Sequence, residues 1–284
     1  MHPLEALHLS HPALVVLVAG IIGLCIGSFL NVCAHRIPRG LSIATPPSSC
    51  ACGARIPFWL NVPLLGWLAL RGRARCCGTP ISIRYPLLEL AGGAALAAAW
   101  LWLPTDSAIA ASVLLPLLLL LAACDIESML VPDAPNFLLV VSGLLLSIAL
   151  PSIHGAEGHE LALVDRLVAT QASLLGIAIG TASTWWVRTI GTAFAGREAM
   201  GEADIILCAG IGAFGGWQGA LFALFGGSVI GLLLVLPGLI RARLKGVEGP
   251  ASVPFVPSLA LAGALWFFRG PEWLELWFKL GQGG

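Results

Sequence analysis

Two aspartates stand at the ends of long apolar segments, where ionisable residues are costly and are therefore functional candidates. Asp125 closes the apolar run 108–125, and Asp204 opens the run 204–217. The negative end of a helix dipole disfavours a carboxylate at position 125, so structure alone explains it poorly. Two carboxylates that lie close together share one proton, so one can activate water while the other protonates an amide. We therefore hypothesise that Asp125 and Asp204 form a pair that hydrolyses amide bonds without metal or covalent intermediate.

The residues around these aspartates give both supporting and alternative interpretations. Gly201 and Ala203 are small and allow a neighbouring backbone or a peptide substrate to approach Asp204 closely. The structural alternative for Asp204 is an N-cap of its own helix. Asp133, which follows Pro132, has the same alternative at the next helix and is kept as a supporting candidate.

The elements that must position these residues are membrane helices. The chain has 284 residues, of which 58% are hydrophobic and 11% are charged, and its mean hydropathy is +0.92. A soluble domain carries roughly 25% charged residues, so the bilayer is the solvent that this composition fits. We predict an all-α polytopic membrane protein with about eight transmembrane helices. They are placed at 12–34, 86–103, 108–125, 134–151, 166–188, 204–217, 218–240 and 253–269.

These helices divide the chain into four parts. Residues 1–34 hold the first transmembrane helix, which we expect to be retained because its N-terminal flank carries no Lys or Arg. Residues 35–85 form a polar loop, residues 86–269 hold the helices with both aspartates, and residues 270–284 form a tail. Gly215-Gly216 is expected to break the sixth helix from the seventh, the alternative being one long re-entrant element.

Charge distribution predicts the orientation of the chain. Of the 15 Lys and Arg residues, eight spans place 12 on one side and 3 on the other. The richer side is expected to be cytoplasmic, and it receives Asp125, Asp204 and the loop 35–85. The net charge is zero, so no global field indicates nucleic acid as a partner.

Four cysteines cluster in the loop, which is too small to bury much core and needs another means of support. The cytosol disfavours disulfides, so a metal is the better prediction, with zinc as the candidate. The alternative is a zinc-free loop held by its Pro and Trp residues. The candidate ligands are Cys50, Cys52, Cys76 and Cys77.

Five blocks of sequence occur in an order that is typical of one family. They are Gly27–Val32 with His35–Gly40, Asn61–Pro63 through Ile81–Leu90, Asp125–Asp133, Met200–Asp204, and Gly212–Phe214 with Gly216–Gln218. Together they resemble the prepilin leader peptidases, polytopic aspartic proteases of type IV pilus and type II secretion systems. The resemblance covers most of the chain, from about Gly23 to Val235.

This resemblance implies an enzyme of the bacterial inner membrane with its active site facing the cytoplasm. Asp125 and Asp204 match the two catalytic aspartates, and proteolysis would need no cofactor. The substrate would be a prepilin or pseudopilin with a short basic leader, which Glu127 and Glu202 are expected to help attract. The lipid bilayer and the pilus or type II secretion machinery would be its other partners.

Many members of the family also methylate the new N-terminus with S-adenosylmethionine. The resemblance assigns this step to a region that contains Gly27, Ser28, Asn31, Arg36 and Glu89. Two structural alternatives stay open. The small residues of the first helix, such as Gly27, are also typical of helix packing. Glu89 in the second helix is also suited to form an ion pair with Arg84 or Arg36.

The chain departs from the family pattern in two places. Gly201-Glu202-Ala203-Asp204 has alanine where the family has a second glycine, and the loop has Cys50-Ala51-Cys52 and Cys76-Cys77 where relatives have two Cys-x-x-Cys pairs. The alternative functions are therefore a peptidase without methyltransferase activity and an inactive assembly partner. A transporter would also use intramembrane carboxylates, but it would carry inverted repeats, and the sequence has none.

Overall fold

The residues that the structure describes are mostly helical. A computed structural model describes residues 3–50, 52–246 and 253–282, and in these ranges it contains nine α-helices, three short 3₁₀ helices and two isolated β-bridges. The α-helices are α1 Pro3–Ser10, α2 Pro12–Arg36, α3 Leu65–Ala69, α4 Arg84–Trp102, α5 Thr105–Ser128, α6 Asp133–Ala149, α7 Ala162–Ala195, α8 Glu202–Leu244 and α9 Val256–Gln282.

The all-α prediction is confirmed, and each predicted segment overlaps an observed helix. The sixth and seventh segments are the two halves of α8, which Gly216 interrupts with φ 66° and ψ −175°. The predicted break at this glycine pair is therefore confirmed. In the described part of the chain, four helices are long and apolar enough to cross a membrane, namely α2, α5, α7 and α8, and α6 and the first part of α9 are shorter apolar helices. The count of eight crossings stays a prediction.

The chain forms two compact units, Met1–Leu130 and Val131–Gly284. In the first unit, α2 crosses α4 with almost no side chain between them. A Cβ atom on Gly23 would lie 2.3 Å from the carbonyl oxygen of Gly92, and one on Gly27 would lie 2.7 Å from the Cα of Glu89. The packing interpretation of these small residues is therefore confirmed for Gly27.

The helix that carries Asp125 is fixed in this unit by an apolar seam. Apolar residues of α2 and α5 at helical spacing bury one another. The C-terminal end of α5 therefore packs against the C-terminal end of α2. The seam consists of Leu30, Cys33, Ala34, Leu120, Ala123 and Cys124.

In the second unit, α8 is the central helix. On one side α7 approaches it so closely that a Cβ atom on Gly176 would lie 2.0 Å from the carbonyl oxygen of Gly212. On another side α9 reaches the break in α8, where Trp266 Nε1 donates a 3.0 Å hydrogen bond to the carbonyl of Gly215. The first half of α8, which begins just before Asp204, is therefore enclosed by its neighbours.

Two polar contacts connect α6 to α8 along this first half. Asn136 Nδ2 donates to the carbonyl of Ala203 at 2.8 Å, and Ser147 Oγ donates to the carbonyl of Ala213 at 3.2 Å. Between them, a Cβ atom on Gly143 would lie 2.6 Å from that of Ala213, so the helices touch there as well. The contact pairs advance together along both helices, so α6 and the first half of α8 run parallel.

Candidate active site

Asp125 lies buried in the last turn of α5. The helix continues to Ser128, three residues beyond the predicted end, and closes at Met129, which has φ 54° and donates its N–H to the Asp125 carbonyl at 2.9 Å. The side chain belongs to a residue that is only 7% exposed. A buried carboxylate at the negative end of a helix is a costly arrangement, and function explains it better than stability does.

Glu127, one half-turn further on, is bound by two arginines and one histidine of the same unit. Its Oε1 accepts from His35 Nδ1 at 2.7 Å and from Arg39 Nη1 at 3.0 Å, and its Oε2 accepts from Arg84 Nη2. The carboxylate thereby ties α2 and α4 to the end of α5. The expectation that Glu127 helps to attract a basic leader stays a prediction.

Asp204 lies buried in the first turn of α8, and the residue is 6% exposed. The helix begins at Glu202 with Gly201 as its N-cap, so the alternative that Asp204 is the N-cap is wrong. Asp204 occupies the third helical position instead, and its Oδ2 accepts the N–H of Gly201 at 3.0 Å. The carboxylate therefore holds the turn from inside the helix, as an N3 side chain does.

The alanine at position 203 is compatible with this turn. Gly201 has φ −71°, and Ala203 is not among the residues with positive φ. Neither position needs the backbone freedom that only glycine supplies. The alanine at position 203 can therefore adopt the backbone conformation that this turn requires.

Sequence reasoning missed two side chains that hold this turn. Arg188 of α7 donates through Nε to the carbonyl of Met200 at 3.0 Å, and its Nη2 binds Glu198 and Glu202 at 3.1 and 3.2 Å. Asn136 of α6 donates to the carbonyl of Ala203. The available signal was a lone amide side chain one helical turn after Asp133 in an apolar helix.

Asp133 does not cap α6. It is the first residue of the helix, Pro132 holds the N-cap position, and no side-chain hydrogen bond caps this end. Its side chain is exposed. The capping interpretation of Asp133 is therefore wrong.

Asp125 and Asp204 share one property that sets them apart. Among the acidic and basic residues that the structure describes, these two alone are buried. Asp125 belongs to the unit Met1–Leu130 and Asp204 to the unit Val131–Gly284. Each lies at a helix end, in the last turn of α5 and in the first turn of α8 respectively.

The four loop cysteines lie together, with all Sγ atoms within 4.8 Å of one another. Cys50 and Cys77 are 3.5 Å apart, and Cys52 and Cys76 are 3.3 Å apart. Tetrahedral zinc with Zn–S bonds of about 2.3 Å would need sulfurs about 3.8 Å apart, so this donor set fits the ion.

Hydrogen bonds within the cysteine cluster separate the pKa values of its thiols. The backbone N–H of Cys52, with the neighbouring thiols, lowers the pKa of Cys50 to about 6. Hydrogen bonds with Cys52 and Cys50 raise the pKa of Cys76 to about 12. A hydrogen bond with the Thr79 hydroxyl also lowers the pKa of Cys77, so the cluster favours the thiolate form that binds metals.

A cavity of about 1200 Å³ lies in the first unit, between the loop, α2 and α4. Four residues of the predicted methyl-transfer region line it, and Gly27, which packs on α4, is not among the described lining residues. Those four are Ser28, Asn31, Arg36 and Glu89, and Cys50 and Cys76 of the cluster also contribute to the wall.

Asn31 has one unsatisfied atom in this wall. Its Nδ2 donates to the carbonyls of Gly27 and Tyr85 at 3.3 and 3.1 Å. Its Oδ1 is buried and has no hydrogen-bond partner in the described part of the chain. Such an atom is suited to accept a hydrogen bond from a ligand.

The predicted ion pairs of Glu89 are wrong. Its Oε2 accepts the backbone N–H of Leu64 at 2.7 Å, and Arg84 binds Glu127 instead. Arg36 donates to the carbonyls of Ser42 and Pro46 at 2.9 and 2.7 Å, so it fastens the loop to α2. Both side chains therefore shape the cavity wall.

Two family models match the chain. Residues 21–103 match the bacterial peptidase A24 N-terminal domain, and residues 112–236 match the type IV leader peptidase family. No solved structure matches significantly.

Several curated proteins named prepilin leader peptidase/N-methyltransferase are similar over most of their length. One from Klebsiella pneumoniae is 39% identical over 69% of this chain and 83% of its own. One from Dickeya chrysanthemi is 32% identical over 90% and 93%, and one from Myxococcus xanthus is 38% identical over 92% and 74%. The chain therefore belongs to the type IV leader peptidase family.

Proposed function

We propose that this inner-membrane protein is an aspartic endopeptidase that removes leader peptides from prepilins or pseudopilins, with Asp125 and Asp204 as its catalytic pair. The observation that supports this proposal most directly is that, among the described acidic and basic residues, these two alone are buried. Both fall in the segment 112–236 that matches the type IV leader peptidase family.

The chemistry follows from two carboxylates that share one proton. The ionised carboxylate takes a proton from water, and the resulting hydroxide attacks the carbonyl carbon of the scissile amide. The protonated carboxylic acid gives its proton to the amide nitrogen as the C–N bond breaks. The products are a new carboxylate on the leader and a free N-terminal amine on the mature protein.

The substrate enters from the cytoplasmic side, where the positive-inside rule places both aspartates. Glu127 pairs with Arg39 and Arg84 and its side chain is only 11% exposed, so more exposed carboxylates are better suited to attract a basic leader. Glu202 pairs with Arg188 but keeps a side chain that is 81% exposed, two residues before Asp204, and Asp133 is exposed at the start of α6. These two acids are the candidates for binding the leader.

A second activity, N-methylation, is supported by the cavity in the first unit. S-adenosylmethionine would supply the methyl group for the new N-terminal amine. Glu89 and the unpartnered Oδ1 of Asn31 offer acceptors for its hydroxyl and amine groups, and Trp67 and Tyr85 offer aromatic surface for its adenine. These residues fit such a ligand, and Arg36, which fastens the loop to α2, would help to enclose it.

The test is N-terminal mass spectrometry of a prepilin co-expressed with the protein. Asp125→Asn and Asp204→Asn should each leave the leader intact, whereas Asp106→Asn, at the other end of α5, should cleave normally. Glu89→Gln should cleave but leave the new amine unmethylated. Cleavage by either single aspartate variant would remove that residue from the pair, and cleavage without any methyl group would leave a peptidase alone.

A further inference from the structure

The turn before Asp204 is held by side chains that the proposed reaction does not use. Asn136 of α6 donates to the carbonyl of Ala203 at 2.8 Å, and Arg188 of α7 donates to the carbonyl of Met200 at 3.0 Å. These two carbonyls lie on either side of Gly201. The backbone that leads into Asp204 is therefore fixed from two helices.

The orientation of the Asn136 amide is determined by its partner. A backbone carbonyl only accepts hydrogen bonds, so the atom that faces Ala203 must be the donor Nδ2. The other atom, Oδ1, is then buried without a partner in the described part of the chain, and the residue is 0% exposed.

Packing alone does not explain an asparagine at this place. An unpaired amide oxygen in an apolar interior lowers stability, and a leucine of similar volume would avoid that cost. The amide is therefore better explained by its bond to the residue before Asp204 than by the stability of the α6–α8 contact.

We propose that Asn136 is a positioning residue for Asp204, which it orients by holding the carbonyl of Ala203. This inference rests on the proposed catalytic role of Asp204. The Ala203 carbonyl belongs to the peptide plane that leads directly into Asp204, so a displaced Ala203 carbonyl displaces the carboxylate as well. Misplacing a catalytic group by about 1 Å costs roughly 100-fold in rate.

The same pair of helices offers a matched control. Ser147 is also fully buried on α6 and donates to an α8 carbonyl, that of Ala213, at 3.2 Å. Both bonds join the same helices, but only the Asn136 bond lies beside Asp204. A role in packing would affect both sites alike, whereas a positioning role concerns Asn136 alone.

The experiment measures kcat and KM of the full-length enzyme in detergent with a prepilin substrate. Asn136→Leu should lower kcat by about tenfold to 100-fold with KM within about threefold and thermal stability kept. Ser147→Ala should keep kcat within about threefold of the unaltered enzyme.

Asn136→Asp adds a pH-dependent readout, taken at pH values where the thermal stability of the variant matches that of the unaltered enzyme. This variant has nearly the same shape, but its carboxylate cannot donate to the Ala203 carbonyl until it is protonated. Its activity relative to the unaltered enzyme should therefore rise as the pH falls. It carries the test by itself if Asn136→Leu does not accumulate in the membrane.

The inference is overturned if Asn136→Leu keeps kcat within about threefold, or if Ser147→Ala loses as much activity. A flat ratio of Asn136→Asp to unaltered activity across the pH range overturns it too. Asp204→Asn distinguishes failure of the proposed function from failure of the positioning role. An active Asp204→Asn variant contradicts the proposed function, whereas an inactive one beside a normal Asn136→Leu contradicts only the positioning role.

Discussion

The carboxylate of Asp204 accepts the backbone N–H of Gly201 at 3.0 Å, so one side chain stabilises the start of α8 and also carries the proposed chemistry. The two roles have different requirements. Capping needs only an acceptor oxygen, which an amide also has, whereas proton transfer needs an ionisable group.

Asp204→Asn should therefore abolish leader removal while the protein stays folded, because its amide oxygen still accepts from Gly201. Asp204→Ala should also be inactive and should lose about 0.5–2 kcal/mol of stability with the cap. Thermal unfolding in detergent and mass spectrometry of the substrate measure the two effects. Equal stability of the two variants would show that the Gly201 bond contributes nothing.

Gly201→Ala should fold normally but lower cleavage by roughly tenfold. Its φ of −71° suits alanine, and the added Cβ would lie 3.4 Å from Asp204 Oδ2, where it hinders approach to the carboxylate. Gly238→Ala is the control, because Gly238 also lies in α8 and a Cβ atom there would meet no other atom within 4 Å. Normal cleavage by Gly201→Ala would mean that position 201 does not have to be small.

The sequence was sufficient to predict the helices and the break in α8, because hydropathy and a glycine pair are local signals. The sequence also predicted that the four loop cysteines lie close together. It could not predict that Asp204 sits at the third helical position, since helix ends are uncertain by one or two residues. The partners of Glu127 and Glu89 were missed for another reason: α2, α4 and the loop meet only in the folded unit.

Glu127→Gln should destabilise the protein by about 1–2 kcal/mol, a value reduced for the partial exposure of the three side chains that bind Glu127. The side chain is 11% exposed and ties α2 and α4 to the end of α5. Glu275→Gln, which breaks an exposed pair with Lys279, should cost less than about 0.5 kcal/mol. Thermal midpoints in detergent compare them, and equal shifts would contradict a special role for Glu127.

Gly23→Ala should destabilise the first unit by about 1–3 kcal/mol, because the new methyl group would lie 2.3 Å from the carbonyl oxygen of Gly92. The neighbour is backbone, so α2 and α4 must move apart. Gly20→Ala is the control on the same helix, since its Cβ would meet Ala97 at an ordinary 3.5 Å. Identical melting of the two variants would contradict the close α2–α4 crossing.

The cysteine cluster should bind about one zinc ion per chain, because its four sulfurs lie within 4.8 Å of one another. Cys52→Ser should abolish binding, whereas Cys25→Ser, which alters an exposed cysteine of α2 outside the cluster, should not. Because Cys50 and Cys76 line the cavity assigned to the methyl donor, loss of the metal should loosen that wall. We therefore expect the Cys52→Ser enzyme to cleave prepilin but to methylate it poorly. Elemental analysis and substrate mass spectrometry measure both, and full methylation by a zinc-free variant would separate the cluster from the cavity.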